Sequence, residues 1–192
     1  MKQKLTLRRV LASAVAALAA AAAVWLLCRW VGYDLQLRIG NEPVYEIAND
    51  DYTQIIDVPE DGLWQAVPLE AGQTLYGCRL RFSTHGELYR AGMVMVDLCD
   101  ADGTILREAA GNYANIFDDN FTGFAFGTAY TAAQAETLYL HIYNVVEWEG
   151  PLGLWASTGT VGALALTADG VDADATLALQ YKIGRASCRE RV

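Results

Sequence analysis

The stretch Leu75-Tyr76-Gly77-Cys78-Arg79-Leu80-Arg81-Phe82 alternates apolar and polar side chains. Successive side chains of a β-strand point to opposite faces of the sheet, so Cys78, Leu80 and Phe82 share one face while the two arginines share the other. Period-two alternation is typical of a strand with one face in the core and one in water. We therefore predict a strand whose arginine face lies in solvent.

A second alternating stretch, Met93–Asp100, places every second side chain from Val94 to Leu98 on one apolar face. Asp97 falls on the opposite face and marks that face as the outer one. Cys78 then points inward and Cys99 outward, and two cysteines whose side chains point apart cannot be bridged without backbone movement. We therefore predict two free thiols rather than a disulfide.

The same pattern runs through Tyr33–Tyr181, where clusters of Gly, Pro and Asp interrupt the apolar residues at short intervals. This spacing predicts an all-β fold, an antiparallel β-sandwich. Asp100–Thr104 and Asp169-Gly170 have the chemistry of hairpin turns. Thr131–Glu136 has the composition of a short helical turn or of a loop. The predicted strands are Asp34–Ile39, Tyr52–Val58, Gly62–Pro68, Thr74–Ser83, Gly92–Cys99, Thr104–Ala109, Phe121–Gly127, Thr137–Val145, Gly153–Ser157, Ala163–Thr167 and Ala175–Tyr181.

The N-terminal part of the chain has a different composition. Between Val10 and Cys28 the sequence carries no charged side chain, and about 18 helical residues span roughly 27 Å, close to the apolar thickness of a bilayer. We predict a transmembrane signal-anchor helix over residues 10–30. Basic residues precede it, so the positive-inside rule predicts a cytoplasmic N-terminus over residues 1–9 and an extracytoplasmic domain over residues 31–181. The expected location is the cell membrane, with a single pass.

Two other interpretations of this segment remain open. Small residues over Ala19–Ala23 offer cleavage sites for a secretory signal peptide, although the apolar run continues past them to Leu27. In a lipoprotein Cys28 would be the acylated residue, but Leu27 stands before it, where such sequences carry a small residue. We prefer the retained anchor.

Charge is distributed unevenly along the chain. Residues 1–30 carry 5 bases and no acid, whereas residues 31–181 carry 5 bases and 22 acids, a net charge of -17. A surface this acidic repels phosphate backbones, which excludes nucleic acid as a partner of the main body. The lipid bilayer is the partner that the N-terminal segment predicts.

The last eleven residues, Lys182–Val192, form a basic tract with a net charge of +3. They resemble, letter for letter, the translation of a widely used sequencing adapter. We expect this tail to be non-native and the natural gene to continue beyond Tyr181. The alternative is a basic tail close to a membrane. Added segments of this kind are set aside when a fold is inferred.

Short motifs with a strong catalytic meaning are missing from the sequence, including the GxSxG, HExxH, CxxC and Walker patterns. Ser83, Thr84 and His85 are adjacent, but a nucleophile and its base are brought together in space rather than along one strand. The sequence therefore predicts no catalytic residue, and we expect the part present to be non-enzymatic.

Asp100, Asp102 and Thr104 offer oxygen ligands at alternate positions, and oxygen is the ligand that calcium prefers. They are the candidate residues for a structural calcium ion, and no other cofactor is expected. The competing interpretation is an acidic hairpin turn, because the glutamate that completes an EF-hand loop is missing.

One predicted strand carries Tyr139, His141 and Tyr143 on one face, and Trp148 follows in a loop with two glutamates. Sugar rings present C–H faces that stack on aromatic rings, so these four residues are the candidate ligand-binding residues for a carbohydrate. The alternative is that the tyrosines only cover a neighbouring strand. The other tryptophans of the domain are interpreted as core or sheet-edge packing.

Five runs of the domain carry a resemblance to a known family; they are Val58–Trp64, Leu69–Leu75, Arg79–Thr84, Asp100–Leu106 and Leu154–Ser157. They resemble jelly-roll, carbohydrate-binding-module-like domains that stand outside the membrane in large multipass envelope proteins of Gram-positive bacteria. The resemblance implies a jelly-roll β-sandwich after the first transmembrane helix. It carries no catalytic residues over to this domain.

Two functions are compatible with these observations. The first is a non-catalytic, membrane-anchored module that binds or scaffolds at the cell envelope, with an envelope glycan as its expected partner. The second, which the resemblance implies, is the outer domain of a multipass, glycosyltransferase-like enzyme whose catalytic part is missing from this sequence. A spacer or a protein-interaction surface also fits the acidic surface.

Overall fold

The computed structural model describes residues 15, 17–27, 29, 43–87, 91–145 and 152–185. The chain divides into two compact units, Met1–Glu42 and Pro43–Val192. In the first unit the described residues are helical. Among the described residues, no helix combines the length and the apolar character that crossing a membrane requires. Residues 10–14, 16, 28 and 30 of the predicted transmembrane helix lie outside the described residues.

The second unit is built from antiparallel strands, as predicted. One 3₁₀ helix, Tyr113–Asn115, interrupts them. The strands are β1 (Val44–Asn49), β2 (Gln54–Asp57), β3 (Leu63–Leu69), β4 (Gln73–Ser83), β5 (Met93–Cys99), β6 (Ile105–Asn112), β7 (Asn120–Thr131), β8 (Glu136–Asn144), β9 (Gly153–Thr158), β10 (Leu166–Ala168), β11 (Val171–Asp172), β12 (Ala175–Leu177) and β13 (Leu179–Arg185).

The strands form two sheets with jelly-roll connectivity. One sheet contains the neighbours β2, β9, β4 and β7, and the other contains β3, β8, β5 and β6. Eight strands shared between two sheets in this order form a jelly roll. The first sheet, which we call sheet A, also includes β1, β12 and β13; the second, sheet B, also includes β10 and β11. The prediction of an all-β sandwich is confirmed.

The core lies between the two sheets and follows from the alternation in the sequence. Cys78, Leu80 and Phe82 of β4 are 0% exposed, as the alternation over Leu75–Phe82 predicts. The ring of Phe82 lies 5.9 Å from that of Phe124 on the neighbouring strand β7. Burial of aliphatic and aromatic side chains is the main favourable contribution to the stability of such a domain.

The arginine face of β4 is partly covered, which differs from the prediction that it lies in solvent. Cζ of Arg79 lies 3.7 Å from the centre of the Tyr45 ring, and Cζ of Arg81 lies 3.7 Å from the centre of the Tyr52 ring. Tyr45 belongs to β1, a strand that the sequence did not predict. Because β1 is placed by pairing with the distant strand β13, local alternation does not reveal that it covers β4.

The two cysteines of the described residues are free, as predicted, and both are buried. Burial raises the pKa of the Cys78 thiol to about 12. Burial also raises the pKa of Cys99 to about 11, and the carboxylates of Asp97 and Asp100 add to this effect. Thiolates are the reactive form of cysteine, so both side chains are structural at neutral pH.

Several boundaries differ from the prediction. Thr131–Glu136 contains no helix: Thr131 ends β7 and Glu136 begins β8. The predicted strand Ala175–Tyr181 is divided into β12 and β13, and β13 continues into the first four residues of the basic tail. The predicted strand Asp34–Ile39 and residues 186–192 lie outside the described residues. The Asp169-Gly170 turn joins β10 to β11, as predicted.

Candidate functional site

Three aromatic rings stack on the outer face of sheet B, and we call them the aromatic stack: Trp64, His141 and Tyr143. Trp64 on β3 pairs with His141 on β8, and their ring centres lie 4.1 Å apart at an interplanar angle of 14°. The ring centre of Tyr143 lies 4.6 Å from that of His141 at an angle of 25°. The stack therefore crosses two strands and runs along one of them.

The local sequence explains why these rings point outward. Along β8 the aliphatic side chains Leu138, Leu140 and Ile142 are buried in the core, so the residues between them face away from it. The three rings of the aromatic stack are half-buried. Trp64 and Tyr143 both stack on the His141 ring, and we call the faces that they turn away from His141 their outer faces.

A hydrogen bond fixes the orientation of His141. Its Nε2 lies 3.0 Å from the backbone oxygen of Asp61, in the loop that precedes β3. A carbonyl oxygen only accepts, so Nε2 carries the proton in this contact, and Nδ1 of the neutral ring is an acceptor. The central ring of the stack is therefore held from both faces and from one edge.

Asp97 lies beneath the aromatic stack on the neighbouring strand β5. The hydroxyl of Tyr143 donates to Oδ2 of Asp97 at 3.0 Å. Asp97 is 0% exposed, and its Oδ1 has no hydrogen-bond partner among the described residues. The sequence predicted that this side chain faces outward, and it does, but its neighbours bury it. Strand pairing places His141 on one side of Asp97 and Glu108 on the other.

Burial is the main cause of the raised pKa of Asp97, because the charged form loses its hydration. The hydrogen bond from Tyr143 opposes this rise, the charge of Glu108 adds to it, and His141 opposes it. Burial and the contact with Asp97 raise the pKa of Tyr143 to about 12. The Tyr143 hydroxyl therefore remains protonated, and donates, at neutral pH.

We predict that Asp97→Asn stabilises the domain at pH 7. With a raised folded pKa, the favourable contribution of Asp97 is complete below its ordinary pKa of 3.8 and is lost as the pH rises through the folded pKa. Asparagine stays neutral at every pH and still accepts from Tyr143, so the free energy of unfolding of Asp97→Asn should rise relative to that of wild type as the pH rises.

Denaturant unfolding between pH 4 and pH 8 measures this effect. The difference between Asp97→Asn and wild type should grow as the pH rises. Asp102→Asn is the control, because Asp102 is exposed in a loop and its replacement should leave stability unchanged. A wild-type protein that is as stable as Asp97→Asn at every pH would contradict the role assigned to the buried carboxylate.

The hairpin Asp100–Thr104 borders the aromatic stack. Oδ1 of Asp100 accepts from the backbone N–H groups of Asp102 at 3.0 Å and Thr104 at 2.8 Å. A Cβ on Gly103 would lie 3.9 Å from Cη2 of Trp64, so the tip of the hairpin stands beside the indole. The residues of the acidic turn and those of the aromatic stripe, which are separate in the sequence, thus meet at one surface.

In the structure, the candidate calcium residues form a hairpin turn. One carboxylate oxygen of Asp100 is engaged by two backbone N–H groups, which is the chemistry of an acidic hairpin turn. Within the described part of the chain, no three His, Cys, Asp or Glu side chains form a cluster that could hold a metal ion. Calcium at Asp100, Asp102 and Thr104 stays a prediction.

The structure brings together part of the predicted ligand-binding set. His141 and Tyr143 are in the aromatic stack, whereas Tyr139 lies one row further along, level with Ala66 and Cys99. Trp148 lies outside the described residues. The structure adds Trp64 to this set, although the sequence indicated a packing residue. Its place in the stack follows from the pairing of β3 with β8.

A second polar cluster lies at the end of β4. It includes Ser83 and His85, the hydroxyl and imidazole that lie close together in the sequence. Nε2 of His85 lies 2.9 Å from Oδ1 of Asp57. The hydroxyl of Ser83 donates to Oδ1 of Asp118 at 3.3 Å, and Ser83 is 2% exposed. This hydroxyl is buried and engaged by a carboxylate, so the cluster connects loops rather than activating a nucleophile.

Comparison with known proteins yields structures but no family. No protein-family model matches the sequence, and no curated protein matches it. The CsCBM6-3 module of Clostridium stercorarium, solved in complex with cellobiose, is similar at 17% identity and a TM-score of 0.35; the match covers 58% of this chain and 88% of that one.

Two structures of infectious bursal disease virus are also similar. The Gt strain structure matches at 17% identity and a TM-score of 0.31, over 76% of this chain and 38% of that chain. The VP2 subviral particle matches at 17% identity and a TM-score of 0.32, over 75% and 37%. The chain thus spans less than half the length of these viral proteins.

Proposed function

We propose that the β-sandwich is a non-catalytic carbohydrate-binding module whose ligand site is the aromatic stack and the adjoining hairpin. The observation that carries this proposal is the stack itself, in which Trp64, His141 and Tyr143 lie 4.1 and 4.6 Å apart on the outer face of an antiparallel sheet. Such a sheet needs no cover on its outer face, so half-exposed rings there serve a purpose other than the core.

The chemistry of the site fits a neutral glycan. The outer faces of Trp64 and Tyr143 offer surfaces for the C–H faces of sugar rings. The exposed carboxylate of Asp102 in the bordering hairpin accepts hydrogen bonds from sugar hydroxyls. Nδ1 of His141 is a further acceptor. A set of acceptors beside aromatic faces selects hydroxyl-bearing ligands and disfavours anionic ones.

The proposal includes a location at the cell envelope. The uncharged segment Val10–Cys28 and the four bases that precede it, Lys2, Lys4, Arg8 and Arg9, support an anchor with the sandwich on the outer side. An envelope glycan would then be the ligand within reach. Labelling of intact cells with a reagent that does not cross membranes tests this location, because a sandwich that labels only after lysis contradicts it.

We predict that Trp64→Ala removes most of the affinity for neutral glycans. The probes are cellohexaose, laminarihexaose and chitohexaose, titrated into the full chain by calorimetry. Truncation of an aromatic anchor costs about 2 kcal/mol or more, so the dissociation constant should rise by roughly 30-fold or more.

Two variants serve as controls for this titration. Trp64→Phe keeps an aromatic face and should retain part of the affinity. Phe117→Ala removes an aromatic side chain that is 60% exposed on a loop, and it should bind like wild type. Thermal unfolding checks that each variant is folded. The proposal is contradicted if the folded wild-type chain binds none of the three probes, or if Trp64→Ala binds a probe as tightly as wild type does.

A further inference from the structure

The outer face of sheet A carries Arg79, for which the described residues provide no acidic partner. Cζ of Arg79 lies 3.7 Å from the centre of the Tyr45 ring, which holds the guanidinium against the sheet. Among the described residues no carboxylate lies within ion-pair distance of Arg79. Arg81, two residues along the same strand, differs because its Nη2 lies 2.8 Å from Oδ1 of Asp119. The fork of Arg79 therefore remains available to an anion.

Among the described residues, the strand neighbours of Arg79 are not acidic. Strand pairing places Gln180 of β13 on one side of Arg79 and Gly123 of β7 on the other. Beyond Gln180 stands Ile47 of β1, which is 63% exposed. Nζ of Lys182 lies 5.8 Å from the centre of the same Tyr45 ring. Lys182 belongs to the tail that we expect to be non-native, so Arg79 is the charge on which this site depends.

An open notch lies beside the guanidinium. Gly123 is exposed, and a Cβ at this position would stand 3.8 Å from Cγ of Arg79, 3.9 Å from Oη of Tyr45 and 4.0 Å from Nε of Arg79. The space that a side chain would occupy is therefore empty and bordered by an N–H donor and a hydroxyl. We call this place the Arg79 notch. It has room for a carbon atom at van der Waals distance from these groups.

We propose that the Arg79 notch binds the carboxylate of an acidic polysaccharide. The planar guanidinium matches a carboxylate in a two-point contact, a geometry that a single ammonium cannot offer. Tyr45, which is 38% exposed, and Ile47 provide apolar surface beside the notch for the ring that bears the carboxylate. This site is on the opposite sheet from the aromatic stack, so its ligand is distinct from the neutral glycan proposed above.

The binding of polygalacturonate by the full chain tests this inference. We expect wild type to bind polygalacturonate and not its fully methyl-esterified form, which has the same backbone without the charge. Arg79→Ala should weaken binding about tenfold or more, because a charge-assisted contact is lost. Arg79→Lys keeps the charge but not the planar fork, so it should fall between the two. Added salt should weaken binding by wild type.

Three controls test whether Arg79 itself forms the binding site. Trp64→Ala should bind polygalacturonate like wild type, which distinguishes a failure of this inference from a failure of the proposed function. Thermal unfolding shows whether Arg79→Ala is folded, and Arg79→Lys provides a second, more conservative variant. Inorganic polyphosphate is the competing anion. The inference is overturned if folded wild type does not bind polygalacturonate, if Arg79→Ala or the methyl ester binds equally well, or if only polyphosphate binds.

Discussion

Replacing Gly77 with alanine should destabilise the β-sandwich by about 3 kcal/mol or more. Gly77 has a φ of 154° at an irregularity in the pairing of β4 with β7. A Cβ at this position would lie 2.1 Å from the backbone oxygen of Phe124 and 3.0 Å from Cα of Ala125. Both atoms belong to the backbone, so no rotation of a side chain relieves the clash. The two strands must move apart.

Gly127→Ala is the matched control for this prediction. Gly127 lies on β7, its φ is not positive, and no heavy atom lies within 4 Å of a Cβ built there. Alanine at this position should change the free energy of unfolding by less than about 1 kcal/mol. Denaturant unfolding of the two variants measures the difference. Equal stability of Gly77→Ala and Gly127→Ala would show that β4 and β7 do not approach as described.

Gly62→Ala should cost about 2 to 3 kcal/mol and disturb the aromatic stack. Gly62 has a φ of 80°, and a Cβ there would lie 2.6 Å from Nε2 of His141 and 2.7 Å from the backbone oxygen of Ile142. The imidazole would have to leave its hydrogen bond to Asp61. Since His141 stacks on Trp64, we expect the tryptophan fluorescence to change and the affinity for a neutral glycan to fall.

Gly103→Ala separates the clash from the backbone strain. Gly103 has a φ of 81°, close to that of Gly62, but the nearest atom to a Cβ there is Cη2 of Trp64 at 3.9 Å. Its replacement should cost about 1 kcal/mol, from strain alone. The excess loss in Gly62→Ala then reports the contacts with His141 and with the Ile142 backbone oxygen. If the two variants lose the same stability and Gly62→Ala binds glycans like wild type, Gly62 does not position the stack.

The sequence predicts most clearly those strands with one face in the core. In β4 and β8 every second side chain is apolar, and burial of these side chains decides both the strand and its orientation. The outward direction of His141 and Tyr143 follows from the same rule. The turn at Asp100–Thr104 was also predictable, because its residue types favour a hairpin regardless of what surrounds it.

Features that depend on distant strands were not predictable in this way. Trp64 joins the aromatic stack because β3 pairs with β8, and its own neighbours in the sequence do not indicate that pairing. Asp97 faces outward as its position in the strand indicates, yet it is buried because Tyr143 on the next strand donates to it. The cover of Arg79 likewise comes from Tyr45 on β1, far away in the sequence.

Hydroxyl-radical footprinting of the full chain, with and without a saturating neutral oligosaccharide, tests the carbohydrate-binding site most directly. The method reports the solvent accessibility of individual side chains, and the three half-buried rings of the stack are reactive types. We predict protection of Trp64, His141 and Tyr143 by the oligosaccharide, with Tyr45 on sheet A and Tyr52 in the loop between β1 and β2 unchanged. Protection on sheet A alone, or no protection at saturation, would contradict the assignment of the site to the aromatic stack.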